Sequence, residues 1–333
     1  MDTQNFTDIG RIEAVRQLFE GTAYAPFASG SFEAKGPVRS AARVFIEGPD
    51  FNLVYFPLKH LGYKCVTAVT GELYAALARP RLLSVTLGIS AKLDFAQIRT
   101  LWEGVVSAAK EQGYESLSLE LIPSPNGLTI SLSATGDTTR LTAARRPAPK
   151  SKDLLCVSGP LGAAYLGMRV LERGADTFAR TGQQPDLSKH KLLVGAFLKP
   201  EISPRTVSRL EEEEIYPSAG YLVSRGLADA VLRLVRDTGL GAKVYADKIP
   251  FEGNSFALGR ELDIDPVSAA MNGGDDYRLL FTVPILSLEK FRREFQTFDI
   301  IGHLALPEAG AVLVTPDGAE LPLRAQGWND NPE

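Results

Sequence analysis

Apolar residues that repeat every second position alternate along the whole chain with apolar residues that repeat every three to four positions. Strands bury alternate side chains and helices bury one face, so this alternation restricts the chain to an α/β or α+β fold. The clearest helical pattern covers 95–109 and follows Asp94, a favourable N-cap residue. The alternating runs 115–122 and 127–135 predict two strands that pair through a turn.

Other segments are assigned on shorter patterns. The run "YKCVTAVT" (63–70) predicts a strand before a short helix, and 220–239 predicts one continuous helix. The segment "GRIEAVRQLF" predicts a helix with Ile12, Val15, Leu18 and Phe19 on one face. The proline-rich, charged segment 145–153 predicts a boundary between an N-terminal domain, 1–148, and a C-terminal domain, 149–333.

Charge and cysteine content exclude several classes of function. The net charge is −4, so the chain lacks the positive potential expected of a protein that binds nucleic acid or a membrane surface. Cys65 and Cys156 stand in apolar runs, which favours buried thiols in a cytoplasmic protein over a disulfide framework. The three histidines have no other ligand at zinc spacing.

Five motifs follow one another over roughly 45–330: "DFNLVYFPLKHLGYK", "FLKPE", "DTGLGAKVYADKIP", "NGGDDYRLLFTVP" and a late "GW". Together they resemble the thiamine-monophosphate kinases, which belong to the aminoimidazole ribonucleotide synthetase superfamily. The resemblance implies two α/β domains and a homodimer formed through the sheet of the N-terminal domain. It also implies binding of ATP with magnesium ions and transfer of the γ-phosphoryl group to thiamine monophosphate.

The family's nucleotide and substrate motifs are partly retained. The resemblance places Gly273, Gly274, Asp275, Asp276 and Tyr277 at the family's Gly-Gly-Glu-Asp-Tyr motif. It places Arg146 near the nucleotide phosphates and Trp328 where the family has an aromatic residue. The two aspartates either bind a ligand or stabilise the turn before the next strand. Trp328 either stacks on a thiamine-like ring or packs the tail onto the domain.

The family's metal-binding carboxylates are largely absent. Arg43, Leu222 and Arg225 stand where the resemblance places carboxylates, while Glu72 and Glu120 stand in place of aspartates. An arginine puts a fixed positive charge beside a cation site, and a leucine offers no ligand atom. We therefore expect no metal site and no resident cofactor, with Mg²⁺ and ATP only if the family activity survives.

Three functions follow from this pattern of loss. The chain is a kinase with a rebuilt metal site, a silent relative that binds a nucleotide or thiamine phosphate or acts through a partner, or an enzyme of another reaction. Opposite charges attract strongly in a low-dielectric cleft. The lost carboxylates favour the silent relative, and this attraction predicts ion pairs of Arg43 and Arg225 with Glu72 and Glu120 in place of metal.

Two glycine-containing strings have simpler interpretations than a phosphate site. Gly136-Asp137-Thr138-Thr139 looks like a metal motif, but it follows the strand that the family's motif precedes, so a turn is predicted. The string 158–167 either offers a helix N-terminus to an anion or uses its glycines for close packing, and packing is favoured.

Overall fold

Helices and strands alternate through the computed structural model, which describes residues 6–26 and 30–326. The elements up to residue 145 are α1 (Phe6–Ile9), α2 (Arg11–Phe19), β1 (Val38–Ile46), α3 (Leu58–Ala75), β2 (Arg79–Ile89), α4 (Phe95–Glu111), β3 (Ser116–Pro123), β4 (Thr129–Asp137) and α5 (Arg140–Arg145). Those after it are β5 (Leu154–Val157), α6 (Ala163–Thr181), α7 (Lys191–Leu198), α8 (Thr206–Glu212), β6 (Ala219–Val223), α9 (Leu227–Thr238), β7 (Gly241–Tyr245), α10 (Ser255–Leu262), α11 (Pro266–Asn272), β8 (Arg278–Val283), α12 (Leu288–Glu294), β9 (Asp299–Ala305), β10 (Ala311–Val314) and β11 (Glu320–Pro322).

The chain divides into two units. The first contains the described residues up to 144 together with 201–207, and the second contains 145–200 and the described residues from 208 onward. Among the described residues, helices that combine the length and apolar character needed to cross a bilayer are absent.

The first unit is a four-stranded sheet in the order β1-β4-β2-β3, with α3 and α4 packed together. Helix α4 confirms the pattern read from the sequence: the Asp94 carboxylate accepts from the Gln97 N–H, and the Gln97 side-chain oxygen accepts from the Asp94 N–H. Glycines allow α3 and α4 to approach closely: a Cβ on Gly104 would lie 1.9 Å from the Lys59 carbonyl oxygen.

The strand predicted over 63–70 is wrong. These residues form the middle of α3 and are buried without exception, because the helix is enclosed on all sides. A helix buried all round loses the period that distinguishes it from a strand. The predicted pairing of 115–122 with 127–135 is also wrong: β3 pairs in parallel with β2, and β4 pairs with β1 and β2.

The second unit contains a seven-stranded mixed sheet in the order β11-β10-β7-β9-β5-β8-β6. Its core includes Leu155, Val157 and Leu280 from the sheet, with Leu227 and Val231 from α9. The single helix predicted over 220–239 is half wrong, because the segment opens with strand β6 and becomes helical at Leu227. In the first unit, Ile12 was predicted on the buried face of α2 but is 83% exposed.

Candidate functional site

Two loops of the second unit meet at one end of the β6–β8 strand pair. Residues 224–226 leave β6, and residues 273–277 enter β8, whose Arg278 pairs with Val223. The Asp275 N–H donates to the Ser224 carbonyl oxygen over 2.9 Å. The structure therefore brings the retained motif Gly273–Tyr277 next to Arg225, which the sequence placed at a lost metal position.

The Gly273–Tyr277 loop has a constrained backbone. Gly274, Asp275 and Tyr277 all have positive φ angles, of 80°, 63° and 47°. Side chains other than glycine seldom adopt this region, and such residues often occur at functional sites. A Cβ on Gly273 would lie 2.5 Å from the Tyr165 side chain, so the loop fits closely against α6.

Asp276 is the buried acidic group of this loop. Its carboxylate accepts the Gly162 N–H at 2.8 Å and the Ala164 N–H at 3.2 Å, and the residue is only 5% exposed. Burial raises the pKa of Asp276 to about 7, although the two N–H groups act in the opposite direction. Asp276 thus supplies a carboxyl group to the N-terminus of α6, where negative charge is favoured.

This contact decides between the interpretations of 158–167. The group at the N-terminus of α6 is the chain's own Asp276. A Cβ on Gly162 would lie 2.8 Å from the Ala270 backbone nitrogen, so the predicted close packing is confirmed. No local sequence pattern identifies this partner, because Asp276 is 114 positions from Gly162.

The other retained residues make protein contacts in the second unit. The Tyr277 hydroxyl donates to the Asp275 carboxylate at 2.9 Å, and the Tyr277 side chain is fully buried. The half-buried Arg146 donates from Nε to the Pro217 carbonyl oxygen at 3.1 Å. Trp328 lies outside the described residues.

The two residues of this unit at which the resemblance places metal ligands differ in exposure. Leu222 lies within β6 and is fully buried, whereas Arg225 is exposed. Leu222 has no side-chain atom that binds a cation, and Arg225 carries a permanent positive charge. Neither side chain fits magnesium, which takes oxygen ligands.

The three positions in the first unit lie on different elements. Arg43 lies on β1 with its guanidinium 4.9 Å from the centre of the Phe45 ring, and Glu72 is half-buried in α3. Glu120, on β3, forms an ion pair with Arg11 of α2. Strands β1 and β3 are the two edges of the sheet, so Arg43 and Glu120 are separated by two strands. The partner of Glu120 is therefore an arginine that the sequence analysis did not consider.

The donor set does not fit a magnesium cluster. Of the five positions at which the resemblance places metal ligands, Arg43, Leu222 and Arg225 contribute no side-chain oxygen, and Glu120 is already paired with an arginine. Over 6–26 and 30–326, His, Cys, Asp and Glu side chains form no group of three or more that suits a metal ion.

A cavity of about 370 Å³ adjoins Glu120 in the first unit and was not foreseen from the sequence. Arg11 and Arg16 of α2 line it together with the apolar side chains of Ile12, Val15 and Pro26. No sequence signal indicated it, because the pattern of α2 predicts a buried Ile12, whereas the structure leaves Ile12 83% exposed.

The string Gly136-Asp137-Thr138-Thr139 serves structure, but the turn predicted for it is wrong. Gly136 and Asp137 are the last residues of β4. The buried Asp137 carboxylate accepts from Arg81 Nε at 2.8 Å and from the Lys35 N–H at 2.6 Å. Burial alone raises a carboxyl pKa, yet these bonds hold the pKa of Asp137 below its usual value.

Comparisons with known proteins identify the family to which the chain is related. No protein-family model matches it. A thiamine-monophosphate kinase of Bacillus subtilis (strain 168) is 21% identical over 290 residues, which cover 85% of each chain. The crystal structure of the Aquifex aeolicus thiamine monophosphate kinase superimposes with a TM-score of 0.72 at 20% identity, covering 96% of this chain and 100% of that one. This chain is a divergent relative of the thiamine-monophosphate kinases.

The fold is also that of a hydrogenase maturation protein. A hydrogenase maturation protein, HypE, solved in complex with ATP, superimposes with a TM-score of 0.68 at 16% identity, covering 97% of this chain and 94% of that one. The two sheets with their helices form the aminoimidazole ribonucleotide synthetase-like fold common to the thiamine-monophosphate kinases and HypE. The fold class implied by the sequence resemblance is therefore confirmed.

Proposed function

We propose that this chain is a thiamine-monophosphate kinase-like protein whose catalysis is weakened or lost. The observation that carries the proposal is the full burial of Leu222, a side chain without a ligand atom at a position where the resemblance places a carboxylate. Arg43 and Arg225 extend the loss, because both replace a carboxylate with a cation. Phosphoryl transfer depends on metal ions that neutralise the developing charge, so these replacements remove its main requirement.

Ligand binding is supported separately from catalysis. Arg225 is exposed beside the Gly273–Tyr277 loop, and a guanidinium binds phosphate oxygens in a bidentate manner without metal. Arg146 supplies a second cation at a position that the resemblance assigns to the nucleotide phosphates. A nucleotide or thiamine phosphate is therefore the proposed ligand. A non-catalytic homologue that binds this ligand and acts through a partner is the alternative.

The proposal is tested by incubating the full chain with ATP, magnesium and thiamine monophosphate and measuring thiamine pyrophosphate by chromatography. The Bacillus subtilis relative serves as the positive control. We expect no product above a heat-inactivated sample. Turnover within about a factor of ten of a typical enzyme rate, which is ~10 s⁻¹, contradicts the proposed loss of catalysis.

Calorimetric titration of the chain with ATP, in the presence of magnesium and in the presence of EDTA, distinguishes metal-independent from metal-dependent binding. Equal affinity in both conditions supports phosphate binding by guanidinium groups. Affinity that falls on chelation of magnesium contradicts a metal-free site. The Arg225→Gln variant is expected to weaken ATP binding by about tenfold, because a charge-assisted contact is lost.

We also propose that the chain forms a homodimer through the open face of the first sheet. Val44 and Ile46 of β1 are each nearly half exposed on this face. Their register partners on β4, Ser131 and Thr129, are only partly buried. Small polar and apolar side chains without large charges suit a symmetric interface, in which each residue appears twice.

The Val44→Lys variant tests this dimer. We expect it to raise the dissociation constant about a hundredfold, because two lysines are placed in one symmetric interface. Sedimentation equilibrium of the wild type and the variant measures the change. The control, Leu192→Lys, alters an apolar residue of α7 that is 68% exposed in the second unit. Equal dissociation constants for wild type and Val44→Lys place the interface elsewhere.

A further inference from the structure

A cavity of about 600 Å³ lies in the first unit between α2, α3 and α4. Small-molecule sites generally occupy about 300–1,000 Å³, so its size suits a ligand. The residues that line it and matter for its chemistry are Leu18, Lys59, Arg99, Trp102, Glu103 and Val106. None of them belongs to the sites described above.

Rigid packing fixes the walls of this cavity. Arg99, Glu103 and Val106 follow one another at spacings of three and four residues along α4, so they share one face. The close approach at Gly104 sets α3 against α4 and places Lys59 Nζ 3.2 Å from the Glu103 carboxylate. A site held between packed helices keeps its geometry before a ligand binds.

The charged side chains of the cavity differ in whether they form an ion pair. Lys59 is neutralised by Glu103, and the carboxylate of Glu20, which also lines the cavity, lies 3.9 Å from the guanidinium of Arg16. The guanidinium of Arg99 lies 4.8 Å from the centre of the Phe95 ring, and over the described ranges no carboxylate pairs with it. Arg99 is therefore the cation of this cavity that is available to an anionic group.

The floor of the cavity is apolar and aromatic. Trp102 is 1% exposed and packs on Phe19 with ring centres 5.1 Å apart, beside the buried Leu18. The indole N–H of Trp102 has no acceptor in the part of the chain that the structure describes. Buried N–H groups normally donate a hydrogen bond, so this indole N–H lacks an acceptor, which is usually an oxygen atom.

We propose that this cavity binds a small organic anion with an apolar body. Its anionic group pairs with Arg99, and its apolar body packs over Trp102, Leu18 and Val106. The proposal is independent of kinase ancestry, because every residue that carries it lies outside the family's nucleotide motifs.

The test uses anilinonaphthalene sulfonate, which combines an aromatic body with one negative charge. Excitation of tryptophan and emission from the probe report binding near a tryptophan by energy transfer. The chain has two tryptophans, so the full-length Trp328→Phe protein leaves Trp102 as the only donor. We expect a saturable energy-transfer signal from this protein.

The Arg99→Gln change, made in that protein, identifies the anion site. We expect the probe's dissociation constant to rise about fivefold to tenfold, because a charge-assisted contact is removed. Lys110→Gln is the matched control: it removes an exposed cation from the same helix outside the cavity and should leave the constant unchanged. The uncharged analogue phenylnaphthylamine should bind more weakly, and its dissociation constant should be the same in both variants as in the parent protein.

Two outcomes overturn the proposal. One is the absence of energy transfer from Trp102 at saturating probe. The other is an equal dissociation constant in the parent and Arg99→Gln proteins, which assigns any remaining signal to apolar surface alone. Thermal unfolding of each variant shows that it is folded.

Discussion

Leu222→Asp is expected to lower the free energy of unfolding by about 4 kcal/mol or more, because it buries a carboxylate without a partner. Leu222 is fully buried in β6, where it pairs in register with Leu279 of β8. The substitution restores the carboxylate that the family resemblance places at this position. Urea unfolding followed by circular dichroism measures the loss.

Two controls separate charge from packing. Leu222→Ala should cost about 3 kcal/mol, which is the range for a leucine truncated in a core. Arg225→Asp introduces the same carboxylate at an exposed position and should change stability by about 0.5 kcal/mol or less. If Leu222→Asp costs no more than Leu222→Ala, the strand accommodates a charge and the site retains room for a metal ligand.

The proposed loss of catalysis has a different structural basis at Leu222 and at Arg225. At an exposed position such as Arg225, a carboxylate can be replaced by another residue, or restored, with little change in the free energy of unfolding. A ligand replaced by a core residue cannot, because the surroundings of Leu222 now exclude water and ligand together. If catalysis is lost as proposed, we expect kinase activity to return only when β6 and its neighbours are repacked and the arginines are replaced.

The sequence predicted those elements that have one buried face. Helix α4 has a capping box at Asp94 and Gln97, and its period matches its burial. Helix α3 was misassigned because it is buried on every side, and β6 was absorbed into α9 because its apolar run joins the helix without a clear break. Local patterns record burial on one side of an element, and they fail where both sides are buried.

The sequence predicted which residues belong to the candidate site, but it did not predict which side chains contact one another. The resemblance located Gly273–Tyr277 and Arg225, and the pairing of β6 with β8 brings them together. The contact of Glu120 with Arg11 joins residues 109 positions apart, and no spacing rule connects them. Side chains that meet through tertiary packing leave no local pattern in the sequence.

Asp276 is expected to make the stability of the protein depend on pH between about 4 and 7. Burial raises the pKa of Asp276 from 3.8 to about 7, so the folded state holds a proton that the unfolded state has released in this range. Its contribution is fully present below the unfolded pKa and is lost as the pH rises through the folded pKa. The loss is on the order of 4 kcal/mol.

The Asp276→Asn variant isolates this effect, because asparagine keeps the shape and one carbonyl acceptor but does not titrate. The difference in unfolding free energy, variant minus wild type, should grow by on the order of 4 kcal/mol from pH 4 to pH 7. Urea unfolding at intervals of one pH unit measures it, and carbon NMR of the Asp276 carboxyl group records the pKa directly. Parallel stability curves for the two proteins mean that Asp276 is ionised throughout and that the N-terminus of α6 holds a full negative charge.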